Sequence, residues 1–324
     1  MTSDDEKSHI EGLVTHTSGN IYVVQTTIGA LQGKLKGNFK QNNTRTTNPV
    51  VIGDHVAIER HSENDYHWIV EILPRKNYII RRATNLSRQA HVIAANLDRA
   101  LIIATINYPV TSTTFIDRFL ATCEAYNVKA AIVFNKVDRY KADESEELQS
   151  LTKTYTAIGY PCFQISAKKG IGMEQLKTFL KDGVSLFTGH SGVGKSTIIN
   201  RLIPGAALPT RSISDAHNTG VHTTTYSEMM PVPYSPNAYI IDTPGIRGFG
   251  TLDFDEENIS HYFPEIFKKS KMCKFHNCTH THEPGCSVQE ALEKGEIAWS
   301  RFQSYLNILQ EDREEKYRLP YKGY

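Results

Sequence analysis

The chain has 324 residues, a formal net charge of +1 and 40% hydrophobic residues. This length predicts two or three domains, and the near-neutral charge excludes a global electrostatic attraction to nucleic acids or membranes. The polar N-terminus lacks the basic and apolar parts of a secretory signal, and no run of about 18 apolar residues suggests a membrane span. We therefore expect a cytoplasmic protein that does not enter a membrane.

Residues 10–72 form the first predicted unit. Short alternating segments such as IYVVQTT, HVAIERH and HWIVEIL are rich in β-branched and aromatic residues, and Gly, Asn and Asp turns separate them. This pattern is typical of a small all-β unit, either a barrel or a sandwich.

A basic segment without acidic residues follows this unit. Its cations are Arg75, Lys76, Arg81, Arg82 and Arg88. The segment is either a solvated linker or an RNA contact, in which cations meet phosphates while Tyr78 and the neighbouring β-surface stack on bases.

From about Asn96 the sequence pattern changes to apolar segments typical of strands, which alternate with segments typical of helices. Such alternation predicts a doubly wound, mostly parallel sheet. In open sheets of this kind, ligands bind beyond the carboxyl ends of the strands.

Two of the predicted strands end in polar groups suited to a guanine base. AAIVFNKVD ends in Asn135, Lys136, Val137 and Asp138, and the next strand ends in Ser166, Ala167 and Lys168. Asp138 would accept hydrogen bonds from guanine N1–H and the exocyclic amine, whereas adenine would leave this carboxylate unpaired. Asn135 would meet N7 or hold the pocket, the Lys136 stem would cover the base, and backbone N–H groups of the second segment would close the other side. Alone, the first segment could be an ordinary turn.

The stretch GHSGVGKST matches a phosphate-binding loop, between a predicted strand and a predicted helix. Its residues are Gly189, His190, Ser191, Gly192, Val193, Gly194, Lys195, Ser196 and Thr197. Backbone N–H groups and the helix N-terminus would bind phosphates, Lys195 would reach the β- and γ-phosphates, and Ser196 would ligate Mg²⁺.

A further strand, NAYIIDTPG, would supply magnesium and switch contacts. Asp242 would hold Mg²⁺ through water, and the Gly245 N–H would contact the γ-phosphate. In the loop before this strand, Thr223 or Thr224 would bind Mg²⁺; we favour Thr224.

The residue after Gly245 is Ile246, where many nucleotide hydrolases carry a Gln that orients the attacking water. An apolar side chain cannot do this. His222 is the nearest polar candidate, able to orient the water or to accept its proton; alternatively it packs or stays exposed.

Three of five cysteines lie within the fourteen residues CKFHNCTHTHEPGC. Cys273, Cys278, His280 and Cys286 would complete a closed tetrahedral zinc site of the structural type. Spacing leaves His276 and His282 open as the fourth ligand, and unliganded buried cysteines are the alternative. After this cluster we expect one long polar helix from Ser287.

These motifs resemble those of GTPases of the translation-factor type, in an order that puts Asn135–Asp138 before Gly189–Thr197, as in circularly permuted GTPases. Across essentially the whole chain they resemble the small ribosomal subunit-dependent GTPase A family of ribosome assembly factors. The resemblance also points to His222 and favours His280.

The resemblance implies an OB-like, RNA-binding barrel over residues 1–75, a basic linker over 76–95, a permuted GTPase domain over 96–250 and a helical zinc-binding domain over 251–324. It implies a monomeric GTP hydrolase with one structural zinc ion and Mg²⁺, in which Lys195, His222 and Thr224 are catalytic. Its partners would be the small ribosomal subunit and its rRNA. The alternatives are an ATPase or small-molecule kinase, and a nucleotide-gated RNA-binding module with negligible hydrolysis.

Overall fold

The computed structural model describes residues 9–36, 49–60, 66–82, 90–208, 228–242 and 256–318. The strands in these ranges are β1 Ile10–Ser18, β2 Ile21–Thr26, β3 Gly29–Leu35, β4 His55–Arg60, β5 His67–Ile72, β6 Tyr78–Arg82, β7 Ala90–Ala95, β8 Arg99–Ala104, β9 Ala130–Phe134, β10 Cys162–Gln164, β11 Gly183–Thr188, β12 Glu228–Pro231 and β13 Ala238–Asp242. The α-helices are α1 Thr113–Ala125, α2 Ala142–Ile158, α3 Met173–Phe179, α4 Lys195–Leu202, α5 Pro264–Ser270, α6 Ser287–Glu293 and α7 Trp299–Arg318.

Strands β1 to β5 form a closed barrel in the order β1-β2-β3-β5-β4, because β4 pairs back onto β1. Only β3 and β5 run parallel among these pairs. Alternate residues point inward and bury Val14, Val24, Ile58 and Ile69 completely. The five-stranded order is that of an OB-type barrel, so the predicted N-terminal barrel is confirmed.

The central sheet contains the parallel strands β10-β9-β8-β11-β13, and β12 is antiparallel to β13. Helices α1 and α2 cover one face, where Phe119 and Leu148 are buried, while α3 and α4 cover the other, where Leu176 and Ile198 are buried. Burial on both faces explains the continuous apolar strands in the sequence. The predicted doubly wound α/β unit is confirmed.

The basic segment includes an antiparallel strand pair, β6–β7, that sequence analysis did not anticipate. Two of the cations named above make ion pairs within the protein. Arg75 Nε and Nη2 donate to the buried Asp54 carboxylate at 2.7 and 2.8 Å, and Lys76 Nζ lies 2.7 Å from Asp98 Oδ1. Arg88 lies outside the described residues.

The C-terminal unit packs α5, α6 and α7 around Phe263, Phe302 and Tyr305. Our prediction of one long helix from Ser287 is wrong, since α6 ends at Glu293 and α7 begins at Trp299. The break lies at Gly295, whose φ of +69° favours glycine. Among the described residues, none of the helices combines the length and the apolar character needed to cross a bilayer.

Candidate nucleotide site and metal centre

The predicted phosphate-binding loop connects the end of β11 to the start of α4. Gly194 has φ +96°, and a Cβ there would lie 2.4 Å from Asn135 Nδ2. A Cβ on Gly189 would lie 2.5 Å from the Ile103 carbonyl oxygen. Both positions therefore require glycine, and the loop sits directly against the ends of the neighbouring strands.

Asn135 joins the three segments that the sequence predicts to form the pocket. Its Nδ2 donates to the Val193 carbonyl at 2.9 Å, and its Oδ1 accepts from the Ala167 N–H at 3.1 Å. The side chain is only 2% exposed. Of the two roles considered for Asn135, this geometry favours holding the pocket together.

The Lys136 side chain also contacts the predicted phosphate-binding loop. Its Nζ donates to the Gly192 carbonyl at 2.6 Å and also to the Tyr108 carbonyl. Burial lowers the pKa of Lys136, Arg139 lowers it further, and Asp138 opposes both. These two hydrogen bonds hold the side chain in place at the pocket.

The other residues that the sequence predicts to contact the base follow the ends of β9 and β10. Val137 and Asp138 lie in a 3₁₀ turn, where Asp138 is exposed. Ser166 and Ala167 are buried, and Lys168 is exposed. The Asp138 carboxylate is thus open to solvent at the rim of the pocket.

Sequence analysis missed Tyr108 and Tyr140, which also hold this pocket. The Tyr140 hydroxyl donates to the Asn135 carbonyl and accepts from the Ile106 N–H at 3.0 Å. Tyr108 lies four residues beyond the end of β8, in the connection to α1. Its position beyond the end of a parallel strand was the signal that could have identified it.

Lys195 and Asp242, which the sequence predicts to contact phosphate and magnesium, face each other. Lys195 Nζ lies 3.4 Å from Asp242 Oδ1. Burial raises the pKa of Asp242, and Lys195 opposes that shift. Apart from this ion pair, Oδ1 has no hydrogen-bond partner within the described part of the chain, so its lone pairs suit a magnesium-bound water.

His190 stacks on Phe115 at the edge of the phosphate-binding loop. The ring centroids are 3.9 Å apart and the planes are inclined by 26°. Burial lowers the pKa of His190. The predicted switch residues His222, Thr223, Thr224 and Gly245, with Ile246, lie outside the described residues.

The four predicted zinc ligands form one cluster. The ligand atoms of Cys273, Cys278, His280 and Cys286 all lie within 4.8 Å of one another. His280 Nδ1 is 3.7 Å from Cys273 Sγ and 3.5 Å from Cys286 Sγ, and those two sulfurs are 3.9 Å apart. Tetrahedral zinc bonds imply edges of about 3.8 Å between sulfurs and about 3.6 Å between sulfur and nitrogen. The cluster therefore fits a zinc ion.

The two alternative histidines lie on the surface. His276 and His282 are both exposed, whereas His280 is buried. Glu283 shapes the loop between the ligands, because its carboxylate accepts from the N–H groups of Thr279, Thr281 and His282. These bonds turn the chain so that His280 points inward.

Comparison with known proteins identifies the family. Residues 72–252 match the sequence model described as RsgA GTPase, and residues 11–66 match that of the RsgA N-terminal domain. The chain belongs to the RsgA GTPase family. It is therefore a GTP hydrolase. This confirms the predicted enzyme class and excludes the alternatives of an ATPase and a small-molecule kinase.

Relatives and solved structures extend over nearly the whole chain. Proteins named small ribosomal subunit biogenesis GTPase RsgA from Bacteroides fragilis and Porphyromonas gingivalis are 56% and 53% identical, covering 96% of this chain and 100% of their own length. The crystal structure of YjeQ from Thermotoga maritima has a TM-score of 0.76 at 32% identity, covering 94% of this chain and 99% of its own. The structure of YloQ, a circularly permuted GTPase, has a TM-score of 0.74 at 25% identity, covering 98% and 100%. The predicted family resemblance is confirmed.

Buried ion pairs connect the unit that carries the candidate nucleotide site to the unit that carries the candidate metal centre. Arg301 of α7 donates from Nη1 to Asp117 of α1 at 2.8 Å and from Nε to Glu265 of α5 at 2.6 Å. Arg301 and Asp117 are both fully buried. Burial raises the pKa of Asp117, and the charge of Arg301 and its hydrogen bond oppose that shift, so the ion pairs offset part of the cost of burying these charges.

Proposed function

We propose that this protein hydrolyses GTP between the loop Gly189–Thr197 and the base-reading segment Asn135–Asp138, and that hydrolysis is coupled to assembly of the small ribosomal subunit. The observation that carries the site assignment is the pair of Asn135 hydrogen bonds. They support it because they join the predicted base-reading strand end to the segment Ser166–Lys168 and to the loop Gly189–Thr197. In domain terms we retain a GTPase domain over 96–250, flanked by an RNA-binding barrel over 1–75, a basic linker over 76–95 and a zinc-binding domain over 251–324.

Lys195, Ser196 and Asp242 carry the phosphate and magnesium chemistry in this proposal. Lys195 would neutralise charge on the β- and γ-phosphates, and Ser196 and Asp242 would hold Mg²⁺. When bound, Mg²⁺ offsets the negative charge that develops on the phosphate oxygens. Water attacks the γ-phosphorus in line and gives up a proton, the bond to the β–γ bridging oxygen breaks with its electron pair passing to GDP, and GDP and inorganic phosphate leave.

His222, Thr224 and Gly245 complete the site from segments that the structure does not describe. Because Ile246 cannot orient water, we assign that role to His222. Thr224, rather than Thr223, supplies the switch contact to Mg²⁺, and Gly245 contacts the γ-phosphate.

Guanine selectivity rests on Asp138. Its exposed carboxylate can accept from both guanine N1–H and the exocyclic amine, and the anchored Lys136 stem covers the base. Adenine has no N–H at N1 and no amine at C2. Binding ATP would therefore remove water from the Asp138 carboxylate without giving it a hydrogen-bond donor in return.

We propose zinc as the ion of the Cys₃His cluster, where it acts structurally. Four protein ligands leave no position for a reacting water. The loop around the cluster has few apolar residues of its own, so metal binding contributes to folding of the C-terminal unit.

The partner assignment comes from the relatives, whose names state small ribosomal subunit biogenesis. The barrel offers a suitable surface, because Lys34 Nζ lies 4.1 Å from the Tyr66 ring centroid and Tyr66 meets Trp68 edge to face at 5.1 Å. Cations beside aromatic rings on an OB-type barrel suit RNA bases and phosphates. We propose that the protein acts on rRNA in the cytoplasm as a monomer.

A nucleotide-preference experiment tests the site. Binding of GTP, ATP and XTP is measured for the wild type and for Asp138→Asn. We expect the wild type to prefer GTP, and the variant to lose GTP and gain XTP, since xanthine carries a carbonyl at C2 that accepts from the Asn amide. Guanine preference that survives the substitution unchanged would refute the base-reading assignment.

A turnover assay tests the partner. GTP hydrolysis is measured alone, with purified small ribosomal subunits, and with large subunits as the control. We expect stimulation by small subunits only. Equal rates under all three conditions would rule out coupling to the small subunit.

A further inference from the structure

Helix α1 lies between the phosphate-binding loop and the C-terminal unit. Its first turn begins at Thr113, after the capping Ser112. Phe115 in this turn stacks on His190, the second residue of the loop, at 3.9 Å between centroids. The N-terminal end of α1 therefore contacts the loop itself.

The same helix is fastened to the C-terminal unit two residues further on. Asp117 Oδ1 accepts from Arg301 Nη1 and from the Tyr155 hydroxyl, both at 2.8 Å. The Arg301 guanidinium carbon also lies 4.6 Å from the Phe263 ring centroid. Sliding of α1 against α7 would leave buried charges unpaired, which is strongly unfavourable.

Two further contacts extend this attachment along α1. Arg118 Nη2 donates to both Glu311 carboxylate oxygens at 2.6 and 2.7 Å, and Ala121 belongs to the buried core of the C-terminal unit. The attachment thus covers more than one turn of the helix and includes apolar packing as well as ion pairs.

Phe115 and Asp117 lie on opposite sides of α1, since positions i and i+2 on an α-helix do not share a face. Asp117 therefore attaches α7 to the side of α1 away from the phosphate-binding loop, while Arg118, three residues after Phe115, extends the attachment toward the loop-facing side. A displacement of the C-terminal unit that carries α1 must change the contact between Phe115 and His190.

We infer that α1 transmits the position of the C-terminal unit to the phosphate-binding loop through the Phe115–His190 stack, with Phe115 as a positioning residue for nucleotide binding. This inference rests on the proposed role of Gly189–Thr197. Coupling of this kind is reciprocal. A partner that displaces the C-terminal unit changes nucleotide affinity, and bound nucleotide changes the stability of α7.

Hydrogen exchange of the full-length, zinc-loaded protein tests the transmission. Exchange in α7 is compared without nucleotide and with saturating GDP, for the wild type, Phe115→Leu and Phe163→Leu. Leucine keeps the apolar contact but removes the ring stack. Phe163 is the matched control, because it pairs with Phe179 at 4.9 Å within the same domain and is also partly buried.

We expect GDP to slow exchange in α7 in the wild type and in Phe163→Leu, and to leave it unchanged in Phe115→Leu. Equal protection of α7 in all three proteins overturns the inference, as does the absence of any α7 response in a wild type that binds GDP. A wild type that binds no guanine nucleotide instead refutes the proposed site itself.

A double-mutant cycle on nucleotide affinity gives an independent test. Arg301→Lys keeps the charge but cannot span both carboxylates with a planar fork. We expect Phe115→Leu and Arg301→Lys each to weaken binding of a non-hydrolysable GTP analogue by about 2- to 10-fold, in line with the strength of aromatic pairs. The double variant should be no weaker than the weaker single variant, because both act through one contact.

Multiplicative effects in this cycle would overturn the inference. Zinc content and thermal unfolding establish that Arg301→Lys is folded. If it is not, Glu311→Gln replaces it in the cycle, because that residue is exposed and its substitution loosens the same helix pair.

Discussion

Asn135 Nδ2 donates a hydrogen bond to the Val193 carbonyl, 58 residues later in the chain and 2.9 Å away. The bond joins the end of β9 to the loop after β11. The two segments are adjacent because β8 alone separates their strands in the sheet. Their reversed order along the chain does not affect this packing, since parallel-sheet folds tolerate new termini at exposed connections.

Removing the Asn135 side chain should weaken nucleotide binding more than it lowers the stability of the fold. In Asn135→Ala the Val193 carbonyl and the Ala167 N–H lose their buried partner, at about 1–3 kcal/mol each. We expect affinity for GDP and for GTP analogues to fall by at least about tenfold, measured by titration calorimetry. Asn135→Asp keeps an acceptor for the Ala167 N–H but turns a carboxylate oxygen toward the Val193 carbonyl in a buried site, so it should bind no more tightly than the alanine variant; wild-type affinity in Asn135→Asp would contradict the bridging role.

The buried ion pairs of Arg301 should contribute more to the stability of the C-terminal unit than the partly exposed ion pair nearby. In Arg301→Met the Asp117 and Glu265 carboxylates lose their cation, so the free energy of unfolding should fall by about 3–5 kcal/mol. Arg118→Met removes only the partly exposed pair with Glu311 and should cost no more than about 1 kcal/mol. Urea unfolding followed through Trp299, in a Trp68→Phe background, measures both. Equal costs would show that burial of the charges is not what matters.

The metal centre should contain one zinc ion per chain, held by His280 and not by its exposed neighbour. We expect elemental analysis to find zinc lost in His280→Ala and in Cys278→Ala, and retained in His282→Ala. Because the ion contributes to folding, its loss should also lower the temperature at which the C-terminal unit unfolds. Full zinc in His280→Ala would require a different fourth ligand.

His222 should affect turnover without affecting binding. A residue that orients or deprotonates the attacking water contributes about 10²- to 10⁴-fold to the rate. In His222→Ala we expect subunit-stimulated kcat to fall by at least about 10²-fold, while affinity for a GTP analogue stays close to that of the wild type. His217→Ala, in the same segment, is the control and should keep normal turnover. An unchanged kcat in His222→Ala would remove this residue from the mechanism.

Local patterns predicted the fold class of each unit and proposed most residues of the candidate site. Apolar strands that end in Asn135–Asp138, Ser166–Lys168 and Asp242 predicted where polar groups converge, because parallel strands present their carboxyl ends at one edge. Glycine spacing predicted the phosphate-binding loop, and cysteine spacing predicted the metal ligands up to the choice of histidine. These features depend on backbone geometry and ligand chemistry, which act over a few residues.

Tertiary structure decided the features that depend on contacts between distant parts of the chain. Sequence alone read Arg75 and Lys76 as linker or RNA cations, yet Asp54 and Asp98 pair with them. The sequence predicted one helix from Ser287, but the left-handed conformation of Gly295 separates two helices. Spacing also left three histidines open as the fourth ligand, and only the fold shows that His276 and His282 are exposed while His280 is buried. No sequence pattern indicated a role for Phe115, Asp117 or Arg301. Their roles arise because α1 packs between the phosphate-binding loop and α7, and long-range packing of this kind cannot be inferred from residue spacing.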